Sequence, residues 1–276
     1  MIKKSFYHQV ENTNSSEIST YIYDYNSWEF NSPHFHKNFE LLLVLHGECD
    51  YRIGNQHYTL QEGDAIFVLP FQVHSFTVGE GAAVRCVTFC DLLILTLAKQ
   101  LEKKQLEHPV FRPSETVATF FLDSLQQLFG SRSGYNKQLP PAKRMKLKGM
   151  LYTVGGEILE QTKPIDAGGA NIVVMDVVEY IADHFKSDIS LHHVAEAKGY
   201  NYQYLSRIFN RTFGINFKTM LNQYRTDHAI TLLRDSHLSL SEIAFESGFQ
   251  SIRSLDHVCR QTYGRSPKEM RKEHYV

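Results

Sequence analysis

The sequence has no run of eighteen apolar residues. Its apolar runs, such as LLLVL (41–45) and LLIL (92–95), fall far short of the ~20 residues a membrane-spanning helix needs. The opening stretch, MIKKSFYHQVENTNSSE, has two lysines but no apolar core after them, so no secretory signal is expected. Cysteine is sparse: Cys49, Cys86, Cys90 and Cys259 are scattered, without zinc-type pairs. They read as ordinary thiols in a reducing cytoplasm. Charge of either sign is not in excess, with 29 Lys and Arg against 30 Asp and Glu. Any nucleic-acid contact must therefore come from local charge.

What is present is enough chain for two domains, 276 residues with 42% hydrophobic content. Residues 20 to 90 read as all-β. ELLLVL (40–45), CDYRI (49–53), QHYTL (56–60), AIFVL (65–69), HSFTV (74–78) and AVRCVTF (83–89) are short apolar or alternating runs. Gly47, Gly54-Asn55, Gly63-Asp64, Pro70 and Gly79-Glu80-Gly81 separate them, a spacing that suits a small barrel or jelly roll.

From Asp91 the period becomes helical. LLILTLAKQLEKKQLE predicts one helix, and SETVATFFLDSLQQLFG a second, starting at Ser114 and stopping at Gly130. SRSGYNKQLPPAK reads as a loop. A third helix is expected over about 141–162, with a kink at Gly155-Gly156. KPIDAGGA (163–170) carries Pro and Gly and marks the domain boundary. This division gives 1–163 as the first domain (barrel about 20–90, helices about 91–163), a linker over 164–170, and an all-helical domain over 171–276.

The C-terminal part contains a repeat. LHHVAEAKGY (191–200) echoes LSEIAFESGF (240–249), and Phe213-Gly214 and Tyr263-Gly264 follow at matching distances. Each copy has the logic of a helix-turn-helix. Ser190 and Ser239 stand as N-caps, Ser239 with Glu242 as a capping box, and Gly199 and Gly248 permit the left-handed turn. From Ala197 to Thr226 there are five cations (Lys198, Arg207, Arg211, Lys218, Arg225) and no acid, as phosphate contact prefers. NFKTMLNQYRTDHAITLLRDS between the copies predicts one helix of roughly 18 residues, about 27 Å long. That length can hold two recognition helices near the ~34 Å between successive major grooves.

NYQYLSRIFNRTFGINF, then Arg225, Ala229, Leu232 and Leu233, then IAFESGF and YGRSPKEMR, resemble the C-terminal domain of AraC-type (AraC/XylS) transcriptional regulators over about 172–273. The resemblance implies seven helices with two helix-turn-helix units in adjacent major grooves of double-stranded DNA. It implies that Gln203, Ser206 and Arg207 face bases, with Arg211 nearby, while Leu205, Ile208 and Phe209 lie in the core. Arg207 can fork onto guanine and Gln203 can pair with adenine. In the second unit the outward positions are Arg253, Ser254 and His257, with Ser251 near the helix start. His257 stands where the family usually has Arg, Cys259 where it has Phe, and Leu255 where an aromatic is common, which implies a unit that mainly holds the DNA backbone. Tyr202 and Tyr204 read as half-buried or phosphate-contacting, and His192, His193 and His228 as surface or packing residues.

Residues 20–90 resemble the cupin-like sensor half of the same family through PHFHKNFELLLVLHGE, a hairpin, Gly63-Asp64, Pro70 and His74. His34, His36, Glu40 and His74 occupy the places where metal-binding cupins keep their ligands, and three imidazoles with a carboxylate suit Fe, Mn, Ni or Zn. The alternative this opens is a cupin-type metalloenzyme with an accessory helical domain. Fusion to a DNA-binding domain favours a sensor instead. In that reading these four and Tyr51 contact an effector or the barrel's own backbone, and no catalytic residue, metal or cofactor is expected. Tyr23, Arg52 and Phe67 are further pocket candidates, Arg52 equally an exposed strand cation; Cys86 and Cys90 share strand parity and read as buried. The resemblance places a homodimer contact within 91–163, with Phe120, Phe121, Leu125 and Leu128 as an apolar stripe that also suits packing on the barrel. Arg132, Lys137, Lys143, Arg144, Lys146 and Lys148 read as a solvated helix face. The expected fold class is α+β: a cupin-like β-barrel with following helices, then an all-α domain with two helix-turn-helix units. The expected function is that of a cytoplasmic, effector-responsive DNA-binding regulator, an activator, with RNA polymerase as a further partner.

Overall fold

This computed structural model describes residues 7–8, 18–24, 33–130, 134–136 and 139–273, and the chain divides into two compact units, 1–168 and 169–276. The first unit opens with strands β1 (Tyr7–His8), β2 (Ile18–Asp24), β3 (His34–Phe35), β4 (Phe39–His46) and β5 (Glu48–Ile53). β6 (Gln56–Gln61), β7 (Ala65–Val68), β8 (His74–Val78) and β9 (Ala83–Phe89) follow. After a short 3-10 turn come α1 (Leu95–Gln100), β10 (Lys104–Leu106), β11 (Val110–Phe111), α2 (Glu115–Phe129), β12 (Gly134–Asn136), α3 (Pro141–Gln161) and β13 (Pro164–Asp166).

Two large sheets form from these strands, in the orders β1-β3-β8-β5-β6 and β11-β7-β4-β9-β2-β12, and β10 pairs with β13 as a third, two-stranded sheet. Their side-chain patterns differ for a physical reason. β5 alternates, with Cys49 and Tyr51 buried and Asp50 and Arg52 exposed, because only one face of its sheet is covered. β4 is buried at six successive positions, because its sheet is covered on both faces. Leu42 and Val44 join Cys49, Tyr51, Phe76, Val84 and Cys86 in the core between the sheets. Leu41 and Leu43 point the other way and join Phe67, Phe121, Leu125, Leu151 and Val154 in a core against the helices. Each such fully buried Leu or Phe contributes roughly 1.5–3 kcal/mol.

Among the helices after the barrel, α2 starts and stops where expected: Ser114 is its N-cap, its hydroxyl accepting from the Val117 amide, and Gly130 is its C-cap. Two expectations are corrected. The helix expected over 92–107 ends at Gln100, and Lys104–Leu106 is instead a strand paired antiparallel with Pro164–Asp166. That partner also takes up the start of the expected linker, so residues 164–166 are ordered against the first unit. At Gly155-Gly156, where a kink was expected, α3 continues as helix, running from Pro141 to Gln161. Gly155 instead admits Leu97, whose Cδ2 lies only 2.9 Å from where an added Cβ would sit. Lys143 and Lys146 on α3 are exposed and Arg144 and Lys148 half-buried, a largely solvated face; Arg132 and Lys137 lie outside the described residues.

The second unit contains seven helices among the described residues: α4 (Gly169–His184), α5 (Leu191–Lys198), α6 (Tyr202–Phe213), α7 (Phe217–Asp235), α8 (Leu240–Glu246), α9 (Ile252–Tyr263) and α10 (Pro267–Glu273). Both halves of the repeat fold alike. Ser190 and Ser239 cap α5 and α8 in reciprocal capping boxes. In the first box His193 takes the place that Glu242 fills in the second, its Nδ1 accepting from the Ser190 amide at 3.2 Å. α7 is continuous over 19 residues, about 28 Å. Its Ala229 and Leu233 pack with Ile243, Ala244, Phe249, Leu255 and Cys259. No described helix is long and apolar enough to cross a membrane.

Candidate functional site

The first candidate site lies at one end of the barrel core. β3 pairs with β8 so that His34 stands directly opposite His74. The Phe71 amide donates to the His36 carbonyl at 2.8 Å, tying the loop before His74 to the chain around His36. Glu40 enters from β4 and Tyr51 from β5. His34, His36, Glu40 and His74 are each at most 3% exposed, and one ligating atom from each lies within 4.8 Å of all the others.

The network has a defined polarity. Tyr51 donates its hydroxyl to Glu40 Oε1 at 2.6 Å. Glu40 Oε2 lies 3.2 Å from His36 Nε2 and 3.5 Å from His74 Nε2. The opposite ring atoms, Nδ1 of His36 and of His74, lie 2.9 and 2.8 Å from the carbonyls of Asn38 and Gln72. Burial alone would raise the Glu40 pKa, yet the charge of His74 and the hydrogen bonds from both rings hold it well below the usual carboxylate value. Burial and the neighbouring Glu40 charge push the Tyr51 phenol well above its ordinary range, so it stays a donor. The same two causes, in the same order, raise the Cys86 thiol, which favours the inert thiol over the reactive thiolate.

Of the other pocket candidates, Tyr23 lies in the inter-sheet core with its ring 5.5 Å from Phe76. Phe67 is corrected to the helix-facing side, and Arg52 is the exposed strand cation. Cys90 lies past the end of β9 and packs toward the helices rather than beside Cys86. Three of the four stripe residues on α2, Phe121, Leu125 and Leu128, are buried within the unit; Phe120 is exposed.

The second candidate site is the outer surface of α6 and α9. Gln203, Arg207 and Arg211 are exposed and Ser206 half-buried, while Leu205, Ile208 and Phe209 are in the core. Arg207 lies over the Tyr204 ring, 5.8 Å from its centroid. Tyr202 stacks on His192 at 3.7 Å. On α9, Arg253, Ser254 and His257 line an open groove of about 440 Å³ with Lys218 and Asn222 of α7. Ser251 is the α9 N-cap, and its hydroxyl accepts from the Ser254 amide, so its side chain is largely committed to the helix start.

Comparison with known proteins matches these two units separately. An AraC-like ligand binding domain model matches residues 16–142, and a helix-turn-helix domain model matches 194–273. The chain belongs to the AraC-type transcriptional regulators. It is 23% identical to the melibiose operon regulatory protein of Escherichia coli over 88% of this chain and 86% of that one. It is 24% identical to the transcriptional activator RhaS of Salmonella arizonae over 87% of each. Its fold is shared by an apo ToxT variant from Vibrio cholerae, with a TM-score of 0.56 and 14% identity over 94% of this chain and 98% of that one.

In this regulator the acid-free run of five cations divides in two. Arg225 does not face outward: its Nε donates to the Phe185 carbonyl at 2.7 Å and its NH2 to the Ser187 carbonyl at 2.8 Å. Lys198 is paired with Asp176 at 3.3 Å. Arg207, Arg211 and Lys218 remain exposed. Composition could not make this division, because the partners lie 40 and 22 residues away. Arg225→Ala, which strips a charged donor from two carbonyls, is expected to destabilise the regulator by about 1.5–3 kcal/mol. Thermal unfolding checks this, with Arg207→Ala near wild type as the contrast.

Proposed function

We propose that this regulator is a transcriptional activator whose helix-turn-helix units engage tandem half-sites on double-stranded DNA under control of a ligand held in the barrel. Two like-capped units joined by one 19-residue helix carry the reading. α6 enters one major groove, where Arg207 and Gln203 read base edges, Ser206 adjusts to either base, and Arg211 meets phosphate. α9 enters the next groove. Ser251 and Ser254 set its start, and Arg253 and His257, with Lys218 beside them, hold the backbone more than they read bases.

The ligand acts through the buried network of His34, His36, Glu40, His74 and Tyr51. A ligand shifts such a protein only if it binds its two states with different affinity. Burial of all four metal-type residues favours holding over turnover, which supports a sensor rather than an enzyme. The chain works in the cytoplasm as a homodimer through residues 91–163, where Phe120, Met145 and Tyr152 are apolar and exposed. Its activating contact is with RNA polymerase.

A mobility-shift assay against the DNA upstream of its own gene tests the reading. The wild type is expected to bind in the presence of random competitor. Each lost bidentate base contact is worth ~1–3 kcal/mol, so Arg207→Ala should bind roughly 5- to 150-fold more weakly with an unchanged circular dichroism spectrum. Equal binding of operator and competitor by the wild type would defeat the proposal.

A further inference from the structure

Arg85 is a buried cation with no acid beside it among the described residues. Its strand, β9, alternates its side chains between two cores. Val84 and Cys86 face the other large sheet, while Val87 and Phe89 face the helices. The same alternation puts Arg85 on the helix-facing side, in register with Ile22 of β2 and Leu43 of β4. The residue is 4% exposed, and its Nη1 has no hydrogen-bond partner. A lysine so placed could shed its proton, but a guanidinium stays charged; burial lowers its pKa without neutralising it. An isolated buried charge is costly, and an unsatisfied buried group of this kind calls for a partner from outside the chain.

Two neighbours say what kind of partner fits. Thr20 of β2 pairs with Val87, so it lies diagonally across from Arg85 on the same face. It is 1% exposed, and its Oγ1 also lacks a partner. Diagonal neighbours on adjacent strands are within reach of a long side chain, so both donors can meet one group. A guanidinium fork matches the paired oxygens of a carboxylate or phosphate, and a hydroxyl adds a further donor. Ile22, directly opposite Arg85, is 46% exposed. It leaves apolar surface open beside the buried charge, which gives an anion a way in and an apolar body something to lie against.

We propose that Arg85 and Thr20 bind the carboxylate of a small organic acid whose apolar body lies along Ile22. The site is on the side of the sheet that α2 and α3 cover, where Leu43 and Val87 pack with Phe121, Leu125 and Leu151. Glu40 shares the strand face of Leu42, which turns toward the other sheet. The acid therefore binds on the opposite face from the histidine cluster, and its site stands apart from the ligand reading of the barrel.

Calorimetric titration and thermal unfolding of the full-length chain with benzoate, phenyl phosphate and uncharged benzyl alcohol test the site. Benzoate should bind the wild type saturably and raise its unfolding midpoint, more tightly than phenyl phosphate, and benzyl alcohol should do neither. Arg85→Met should weaken benzoate binding roughly 10- to 150-fold and Thr20→Val roughly 2- to 10-fold. Without ligand, Arg85→Met should unfold at or above the wild-type temperature, because it removes an uncompensated buried charge and keeps an apolar stem of similar length. A lower midpoint for ligand-free Arg85→Met means that the chain itself satisfies the arginine, and overturns the proposal. So does benzoate held by Arg85→Met as tightly as by the wild type, which would put the acid elsewhere, such as among the barrel histidines. The wild-type titrations need no variant: absence of saturable benzoate binding, or equal binding of benzyl alcohol, also overturns the site, and tighter binding of phenyl phosphate overturns the carboxylate assignment.

Discussion

Gly248→Ala destabilises the second unit by roughly 3–5 kcal/mol, while Gly199→Ala, at the equivalent place in the first repeat, costs only about 1–2 kcal/mol. Both glycines have left-handed backbones, φ +81° and +70°, and an alanine pays for that conformation at either site. The difference is what surrounds them. A Cβ on Gly248 would lie 2.7 Å from Lys186 Cα and 2.8 Å from the Phe185 carbonyl oxygen, whereas a Cβ on Gly199 meets nothing within 4 Å. Backbone cannot rotate aside as a side-chain tip can, so α8 and α9 must shift from the end of α4. Denaturant unfolding of the full chain, followed by circular dichroism, measures both variants. Equal losses would mean that the close approach carries no energy.

Glu40→Ala is expected to cost about 3–5 kcal/mol of stability in the first unit, as removal of one member of a buried charged network does. The carboxylate is the hub on which the Tyr51 hydroxyl and two imidazoles converge. Its loss leaves a buried phenol without an acceptor and opens a cavity among side chains that are nearly fully enclosed. Tyr51→Phe keeps the carboxylate and removes one donor, so about 1–3 kcal/mol is expected. Thermal unfolding of the two variants and the wild type ranks them. Wild-type stability in Glu40→Ala would show that the network contributes nothing to the fold.

The six strands from Phe39 to Phe89 were legible because strand signals are local: a few apolar residues, then a turn residue. The helix boundaries at Ser114, Ser190 and Ser239 were legible for the same reason, each being a side chain bonded to an amide three residues on. Lys104–Leu106 has helical spacing yet forms a strand, because its partner lies some sixty residues later and nothing local announces such a pairing. The His193 capping partner is not legible in the sequence, because the usual acceptor at that position is Glu or Gln.

From the sequence alone came the two-part architecture and the repeat, since both rest on periodicity and spacing along the chain; the residues of the two candidate sites came with the family resemblance. Tertiary structure decided which members of those sets are available. It bonded Arg225 and Lys198 to partners elsewhere in the unit and put Phe67 on the helix side of its sheet. It made one repeat glycine irreplaceable and left the other in open space. Those outcomes depend on distances between segments remote in the chain, and close packing, not local preference, sets such distances.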